Sequence, residues 1–570
     1  MTTALVANPN AEVVTRAGRR WVLFGTHRRE LRAEIDRGAD FEAVRARHAS
    51  LPGEGTIVVL SARADEPTVR AHRGITSAYE AFYCLDSSGE AVVTDLFRDA
   101  LARLDPDDRT VPDRAKADHL LYRTTPIDSY VDRIHRLGHG ETLAWTPGET
   151  TPRTELTETL APESVLSPET AHERLDEALS AACAPIAGDS TLMLSGGVDS
   201  TVLATYLGEE TESVTGSWDT PELEFEREYA DRANELLETD RELVEMRESE
   251  YRERLEAAVD ALGMPPHQLQ TPTFDGIYRA LDDETLVSGQ VADAVFGLGG
   301  SLEVGRTVWK TRHLGFVPAV AEKLRRHHEV LETLRRHPSD PDGMGLQYAV
   351  YTDVSAVIDA IGRREYERRQ RERYEYAMDR VGRATGDPYA QHVHVGQWVD
   401  YFCEDAVTVW RQAGLARGTE MYTPFAGKAI AELALGLPSP ERYVRDGEPK
   451  HVPKRLLGEH YPEYDRSKPK GNGNFPAERF LATGPLESIF DEYEVPAFAP
   501  DVDGPIVDRS PGLAWNLAGY AVWRDRVLRS DDLEVAPHTR AVSMPPAPAR
   551  ASSSTASRND RGLPDEGASG

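Results

Sequence analysis

The sequence predicts an α/β protein of two regions, a strand-rich N-terminal region joined to a larger one built on a parallel sheet with helices on both faces. Three observations carry that expectation. Short apolar runs separated by Gly, Pro and Asp clusters fill residues 1–164, and strands alternate with helices from about residue 165 onward. At 570 residues with 40% hydrophobic content, the chain is too long for one core and apolar enough for two.

In the N-terminal region, Thr56-Ile57-Val58-Val59-Leu60 and Ala91-Val92-Val93-Thr94 read as strands, and the polar segment 146–152 punctuates its end. A helix then begins cleanly. Ser167 is a good N-cap, Pro168 suits the first helical position, and Ala171, Leu175, Ala178, Leu179 and Ala182 recur at helical spacing. Thr191-Leu192-Met193-Leu194 follows as a short strand and residues 199–207 as a helix. Ser213-Val214-Thr215-Gly216 is a second strand, 222–237 an acidic helix, 242–246 a third strand and Thr285-Leu286-Val287-Ser288 a fourth. That rhythm requires right-handed crossovers and hence a parallel sheet.

Residues 318–383 read as helical and highly charged, with 363–373 dense in Arg and Glu, which is the pattern of a solvated face rather than of a nucleic-acid surface. The expected organisation is therefore 1–164, 165–540 and a tail from 541 to 570, whose Ser, Ala, Pro and Gly from about Pro545 predict disorder.

Composition sets further bounds. Net charge is −31, from 96 acidic against 65 basic residues, and only eight of the basic residues are lysine. An acidic, lysine-poor chain suits multimolar salt, where self-repulsion is screened. Read as a solvent adaptation, that balance does not by itself exclude a nucleic-acid substrate. No apolar run is long enough to span a membrane, and the first residues carry no secretory pattern, so the cytoplasm is the expected location. Cys84, Cys183 and Cys403 form no CxxC pair or Cys/His array, and His392 and His394 read as exposed imidazoles rather than as a metal site.

Chemistry concentrates at Ser195-Gly196-Gly197-Val198-Asp199-Ser200. An apolar strand running through two glycines into a helix brings a row of amide hydrogens close to a charged group. The helix adds its positive end, and Ser195 and Ser200 add hydroxyls. The result is a cradle for pyrophosphate, with Asp199 placed to hold the accompanying magnesium. The Walker spacing is absent.

These six residues resemble the pyrophosphate loop of the N-type ATP pyrophosphatases. Four further stretches resemble the asparagine synthetase and β-lactam synthetase superfamily, in that family's order. Gly216-Ser217-Trp218-Asp219-Thr220, with Glu224-Phe225 and Tyr229-Ala230, is similar to its segment beside the adenine. Ser288-Gly289-Gln290-Val291-Ala292-Asp293-Ala294-Val295-Phe296-Gly297 is similar to its SGEGADELFG segment. Gly418-Thr419-Glu420-Met421-Tyr422-Thr423-Pro424-Phe425 is similar to its (L)E-x-R-x-PF segment. Asp446-Gly447-Glu448-Pro449-Lys450, then Lys468-Pro469-Lys470-Gly471 and Phe475-Pro476, are similar to its DGxxK and R-x-K-x-G-F-x-x-P segments.

The resemblance implies an adenine nucleotide α-hydrolase-like parallel sheet behind an Ntn-type sandwich. It implies ATP and magnesium, and a small carboxylate with an amine or ammonia as substrates. In that family the carboxylate attacks the α-phosphorus, pyrophosphate leaves, and an amine then displaces AMP to give an amide. Carried over, Ser195, Gly196, Gly197, Val198, Asp199 and Ser200 grip pyrophosphate, while Leu194, Gly216, Ser288 and Gly289 line the nucleotide. Asp199 and Asp293 share magnesium, and Lys450 neutralises developing charge. Composition supports the last assignment separately. Five of the eight lysines (Lys428, Lys450, Lys454, Lys468, Lys470) lie within 428–470, and a compact ammonium is a different phosphate partner from a guanidinium.

Departures from the family are equally informative. Gln290 stands where glutamine-dependent members have glutamate and β-lactam-forming members tyrosine, and Ala294 replaces the second acid of the DE pair. Gln290 is not a base, so Glu404, Asp405, Glu420 or an intrinsically reactive amine is left for the amine step. The N-terminal region lacks the N-terminal cysteine nucleophile, having Thr2 instead, while 122–145 still resembles the end of a class II glutamine amidotransferase domain. It reads as a degenerate, noncatalytic glutaminase-like fold.

The leading expectation is an AMP-forming amide ligase without its own glutaminase. A β-lactam-synthetase-like cyclase and a noncatalytic nucleotide-binding protein are the alternatives. A tRNA-modifying pyrophosphatase shares the loop, but no RNA-binding module is evident. The oligomeric state is left open, a homodimer included.

Overall fold

Alternation within single strands fixes the layers of the N-terminal region. In the strand Arg19–Gly25, Trp21 and Leu23 point one way, Val22 and Phe24 the other, and all four are buried. Such a strand must be covered twice. Trp21 and Leu23 pack with Leu31, Ile35, Phe41 and Val44 of the helices Arg28–Asp36 and Phe41–Ala49. Val22 and Phe24 join a core that includes Leu5, Phe82 and Val93 of a second sheet.

The computed structural model describes residues 2–296, 354–381, 406–437, 444–445, 448–465, 475–500 and 506–546, apart from short breaks at 126, 147, 150–151, 162–166, 209 and 282–284. A six-stranded antiparallel sheet runs in the order Arg153–Leu156, Glu141–Trp145, Val69–Arg73, Gly55–Ser61, Arg19–Gly25, Glu12–Arg16. A five-stranded sheet runs Arg540–Ser543, Thr3–Val6, Ala91–Thr94, Phe82–Leu85, His135–Arg136.

The outermost strand of that second sheet comes from the far end of the chain. Arg540–Ser543 pairs antiparallel with Thr3–Val6, Thr3 opposite Ser543 and Val6 opposite Arg540. The expected tail boundary after residue 540 therefore cuts a strand; of the stretch from about Pro545 expected to be disordered, residues 547–570 lie outside the described residues. The largest apolar cluster is continuous from Leu5 through Leu286 to Trp523, so the two regions share a core.

The larger region carries a five-stranded sheet, all parallel, in the order Arg241–Met246, Ser213–Trp218, Thr191–Met193, Thr285–Val287, Glu420–Tyr422. Leu286 and Val287 are both buried, as are Met421 and Tyr422. Consecutive residues face opposite ways, so both faces are covered. Helices Pro168–Cys183, Val198–Leu207, Lys428–Gly436 and His451–His460 pack as one group, and Tyr251–Leu262, Thr271–Ala280 and Ala406–Leu415 as another. Four strands were legible from sequence. The fifth, three residues long, was not.

Ser167 caps its helix as expected, its hydroxyl accepting from the Thr170 N–H at 3.2 Å. The charged segment is corrected in places. Within Arg363–Val381, Arg369, Arg373 and Arg380 are buried, not solvated. Arg369 forms a bidentate pair with buried Asp118 at 2.7 and 2.6 Å, and Arg373 lies 4.0 Å over the Tyr122 ring. Arg380 donates to the His139 carbonyl at 2.8 Å and to Glu141 at 2.6 Å. The density of arginine there marks a helix docked on the N-terminal region; residues 318–353, 382 and 383 lie outside the described residues.

Candidate active site

In a parallel sheet every strand ends on the same edge, and function gathers there. Thr191–Met193 and Thr285–Val287 are neighbours, so the loops that follow them meet. The contact is tight. A Cβ on Gly289 would lie 2.7 Å from the Asp199 carbonyl carbon and the Ser200 nitrogen, so glycine is required for the second loop to seat on the first. Gly196 has φ +70°, and a Cβ there would lie 2.1 Å from the Tyr229 carbonyl oxygen.

The pyrophosphate-type loop is held in shape by its own groups. The Ser195 N–H donates to the Ser200 hydroxyl at 3.3 Å, and the Gly197 N–H to the Ser195 hydroxyl at 3.3 Å. The Thr201 hydroxyl donates to the Gly197 carbonyl at 2.7 Å. Helix Val198–Leu207 begins there without a side-chain cap from Gly197, so its positive end faces the strand edge. Leu194 is buried, its N–H donating to the Val214 carbonyl at 2.9 Å and its carbonyl accepting from the Thr215 hydroxyl at 2.7 Å. The Ser288 N–H donates to the Tyr422 carbonyl at 2.8 Å. Gly216 sits within the strand beside Thr191–Met193, packed against Thr273 and Ile277.

The three residues expected to do chemistry converge. The Lys450 ammonium pairs with Asp199 Oδ2 and lies 2.8 Å from Asp293 Oδ1. Their sequence separations mean that only the fold brings them together. Burial works against the Lys450 charge, but the carboxylates of Asp199 and Asp293 outweigh it and hold the ammonium above its ordinary range. Lys450 thus stays protonated at the strand edge. Two oxygen donors aimed at one cation position suit a hard ion such as magnesium, so the donor set fits that group.

Backbone outliers flank this triad. Val291 has φ +74° and Lys450 φ +56°, in the left-handed region that a β-branched residue occupies only at a cost. Val291 stands where the resembled SGEGADELFG segment has its second glycine, a difference the sequence alone left without consequence. Sequence reasoning also missed Tyr464, which follows helix His451–His460 and braces the loop, its hydroxyl donating to the Gly196 carbonyl at 2.9 Å. No signal in the chain marks that tyrosine.

One candidate base is corrected. Glu420 begins its strand opposite Thr285, at the end of the sheet away from Ser288. Its buried carboxylate accepts from the Tyr79 hydroxyl, the Tyr422 hydroxyl at 3.0 Å and the Asn8 amide at 3.0 Å, with Arg28 at 3.4 Å. It is a joint between the two regions, not a base at the site. Glu404, Asp405, His392, His394, Cys403 and the 466–474 stretch with Lys468 and Lys470 lie outside the described residues. Cys84 and Cys183 are buried free thiols, and burial pushes the Cys84 thiol up to about 12, far from a nucleophile. Among the described residues no helix is long and apolar enough to cross a membrane.

A family model described as asparagine synthase matches residues 172–495, more than half of the chain and all of the site just described. No curated protein matches the chain.

Proposed function

This chain belongs to the asparagine synthase family, and on that premise we propose that it is an ATP-dependent, AMP-forming amide ligase working without a glutaminase of its own. The observation that carries the reading is the convergence of Lys450 with Asp199 and Asp293 beside the Ser195–Ser200 loop.

In this reading the loop amides and the end of helix Val198–Leu207 hold the β- and γ-phosphates. Asp199 and Asp293 hold magnesium, which screens the phosphate charge when bound. A carboxylate oxygen of the substrate attacks the α-phosphorus, the bond to the β-phosphate oxygen breaks, and pyrophosphate leaves. The amine nitrogen then attacks the acyl carbon, the bond to AMP breaks, and the nitrogen gives up a proton. Lys450 stabilises the negative charge that develops in both steps, having first moved from the carboxylates that hold it without ligand. The N-terminal region serves as an Ntn-like sandwich that has lost glutamine hydrolysis, a reading supported by the buried Cys84, whose thiol burial keeps protonated.

Gln290 specifically favours a second reading, a cyclase or specialised amide synthetase of the β-lactam synthetase kind, because an amine within the substrate needs no glutamine-derived ammonia. One assay separates the readings. Pyrophosphate and AMP release is measured in high salt with aspartate and other amino acids, each with ammonia or glutamine. Release with aspartate and ammonia supports the first reading. AMP formation from an amino-substituted carboxylate without ammonia supports the second. ATP left intact under every condition contradicts both and leaves a noncatalytic nucleotide binder.

A further inference from the structure

In the N-terminal region, His48, His72 and Glu158 are buried together, with one ligand atom from each within 4.8 Å of the others. His48 closes helix Phe41–Ala49, His72 lies in strand Val69–Arg73, and Glu158 follows strand Arg153–Leu156. The ring planes of His48 and His72 meet edge to face with centroids 5.4 Å apart.

Hydrogen bonds hold the cluster in place. The Thr157 hydroxyl lies 3.3 Å from the Gly140 carbonyl and 2.7 Å from the Thr142 hydroxyl. The Thr142 hydroxyl is in turn 3.2 Å from His72 Nδ1. The other ring nitrogen, His72 Nε2, lies 3.2 Å from Glu158 Oε2.

Either a proton or a metal ion can join that nitrogen to that oxygen. A proton explains His72 and Glu158 but gives His48 nothing to do. His48 is 7% exposed, and its Nδ1 has no hydrogen-bond partner among the described residues. Burial keeps the His48 ring neutral, its pKa pushed down to about 3, which is the form that ligates.

We propose that His48, His72 and Glu158 bind one divalent first-row transition-metal ion of the zinc class, as a structural centre that ties three segments of the N-terminal region. Imidazole and carboxylate ligands suit such an ion, and three protein ligands leave a fourth position to water. The Thr142–Thr157–Gly140 chain is the outer support that orients His72. Glu158 Oε2 also accepts from the Ile75 N–H at 3.2 Å, which steers the carboxylate. One group opposes the ion. Lys428 Nζ lies 2.7 Å from Glu158 Oε1 and sets an upper limit on affinity.

The test strips the full chain with a chelator and titrates it with cobalt(II) in the salt that keeps it folded. One equivalent is expected to bind with the strong visible bands of a four-coordinate site, and zinc is expected to displace it. His48→Gln and His72→Gln are each expected to weaken binding by about 100-fold or more. Lys428→Met is expected to tighten it by about tenfold, through loss of the opposing charge. The proposal is overturned if wild type gives no such bands, or if both histidine variants bind as wild type does. Should the histidine variants fail to fold, Lys428→Met decides: tighter binding supports the site, and unchanged affinity refutes it.

Discussion

Two charge triads in this molecule are near mirror images. At the strand edge one cation, Lys450, lies between the carboxylates of Asp199 and Asp293. In the N-terminal region a single carboxylate, Glu80, lies between two guanidiniums, with Arg73 at 2.8 and 3.1 Å and Arg136 at 2.8 Å. The Coulomb logic is the same, but the access differs. Lys450, Asp199 and Asp293 side chains are 11, 20 and 22% exposed, against 1, 0 and 8% for Arg73, Glu80 and Arg136. Arg73 directs its remaining donors at the Ser77 and Leu137 carbonyls and at His139 Nε2, 3.1 Å away. The sealed triad is complete without a ligand. The open one has a charge arrangement that a phosphate and a metal ion can rearrange.

The largest effect should come from the open triad. Asp199→Asn is expected to abolish pyrophosphate release, a loss of about 1,000-fold or more, with thermal unfolding little changed. Lys450→Met is expected to lower kcat by about 100- to 1,000-fold, in the range of a lost oxyanion donor. Lys450→Arg should recover little of it, because a planar fork does not replace a compact ammonium between two carboxylates. Full activity in the arginine variant would break the comparison by making charge alone sufficient.

The sealed triad should respond in stability instead. Glu80→Gln leaves two buried guanidiniums without their anion and is expected to cost about 3–5 kcal/mol, read as a lower Tm. Burial works against the Glu80 carboxylate, but Arg136 and Arg73 outweigh it and hold its pKa below the ordinary range. A depressed carboxylate contributes stability above the unfolded pKa that is lost as pH falls through and below that range. Acid unfolding of Glu80→Gln should therefore be less steep than that of wild type. Equal slopes would contradict the assignment.

Two smaller effects sharpen the picture of the open site. Tyr464→Phe removes the brace on the Gly196 carbonyl and is expected to raise KM for ATP about 3- to 10-fold with kcat nearly kept. Val291→Gly relieves a β-branched residue at φ +74° but removes a buried core side chain, and is expected to destabilise the fold by a net of about 1 kcal/mol, measured by thermal unfolding. Loss of activity well beyond that small cost would show that the strained turn positions Asp293.

Legibility in the sequence followed the same divide. The loop, the alternating strands and the three charged residues stand in local patterns, so Asp199, Asp293 and Lys450 were readable before any geometry. What escaped was non-local. Arg540–Ser543 is an ordinary polar stretch until Thr3–Val6 pairs with it, and Tyr464 is one tyrosine among many until it reaches Gly196. The buried arginines of Arg363–Val381 have the composition of a surface helix, and only partners such as Asp118, distant in sequence, reverse that reading. Glu420 shows the opposite failure. Its place in a family-like segment pointed to chemistry, and its position at the wrong end of a strand removed it.

The central claim is that a carboxylate of the substrate attacks the α-phosphorus beside Lys450, Asp199 and Asp293. It is tested most directly by oxygen transfer. The carboxylate that supports AMP release is labelled with heavy oxygen, and the AMP formed is weighed by mass spectrometry. One labelled oxygen in the AMP phosphoryl group is the result this account requires. Unlabelled AMP, or ADP in place of AMP, would contradict it.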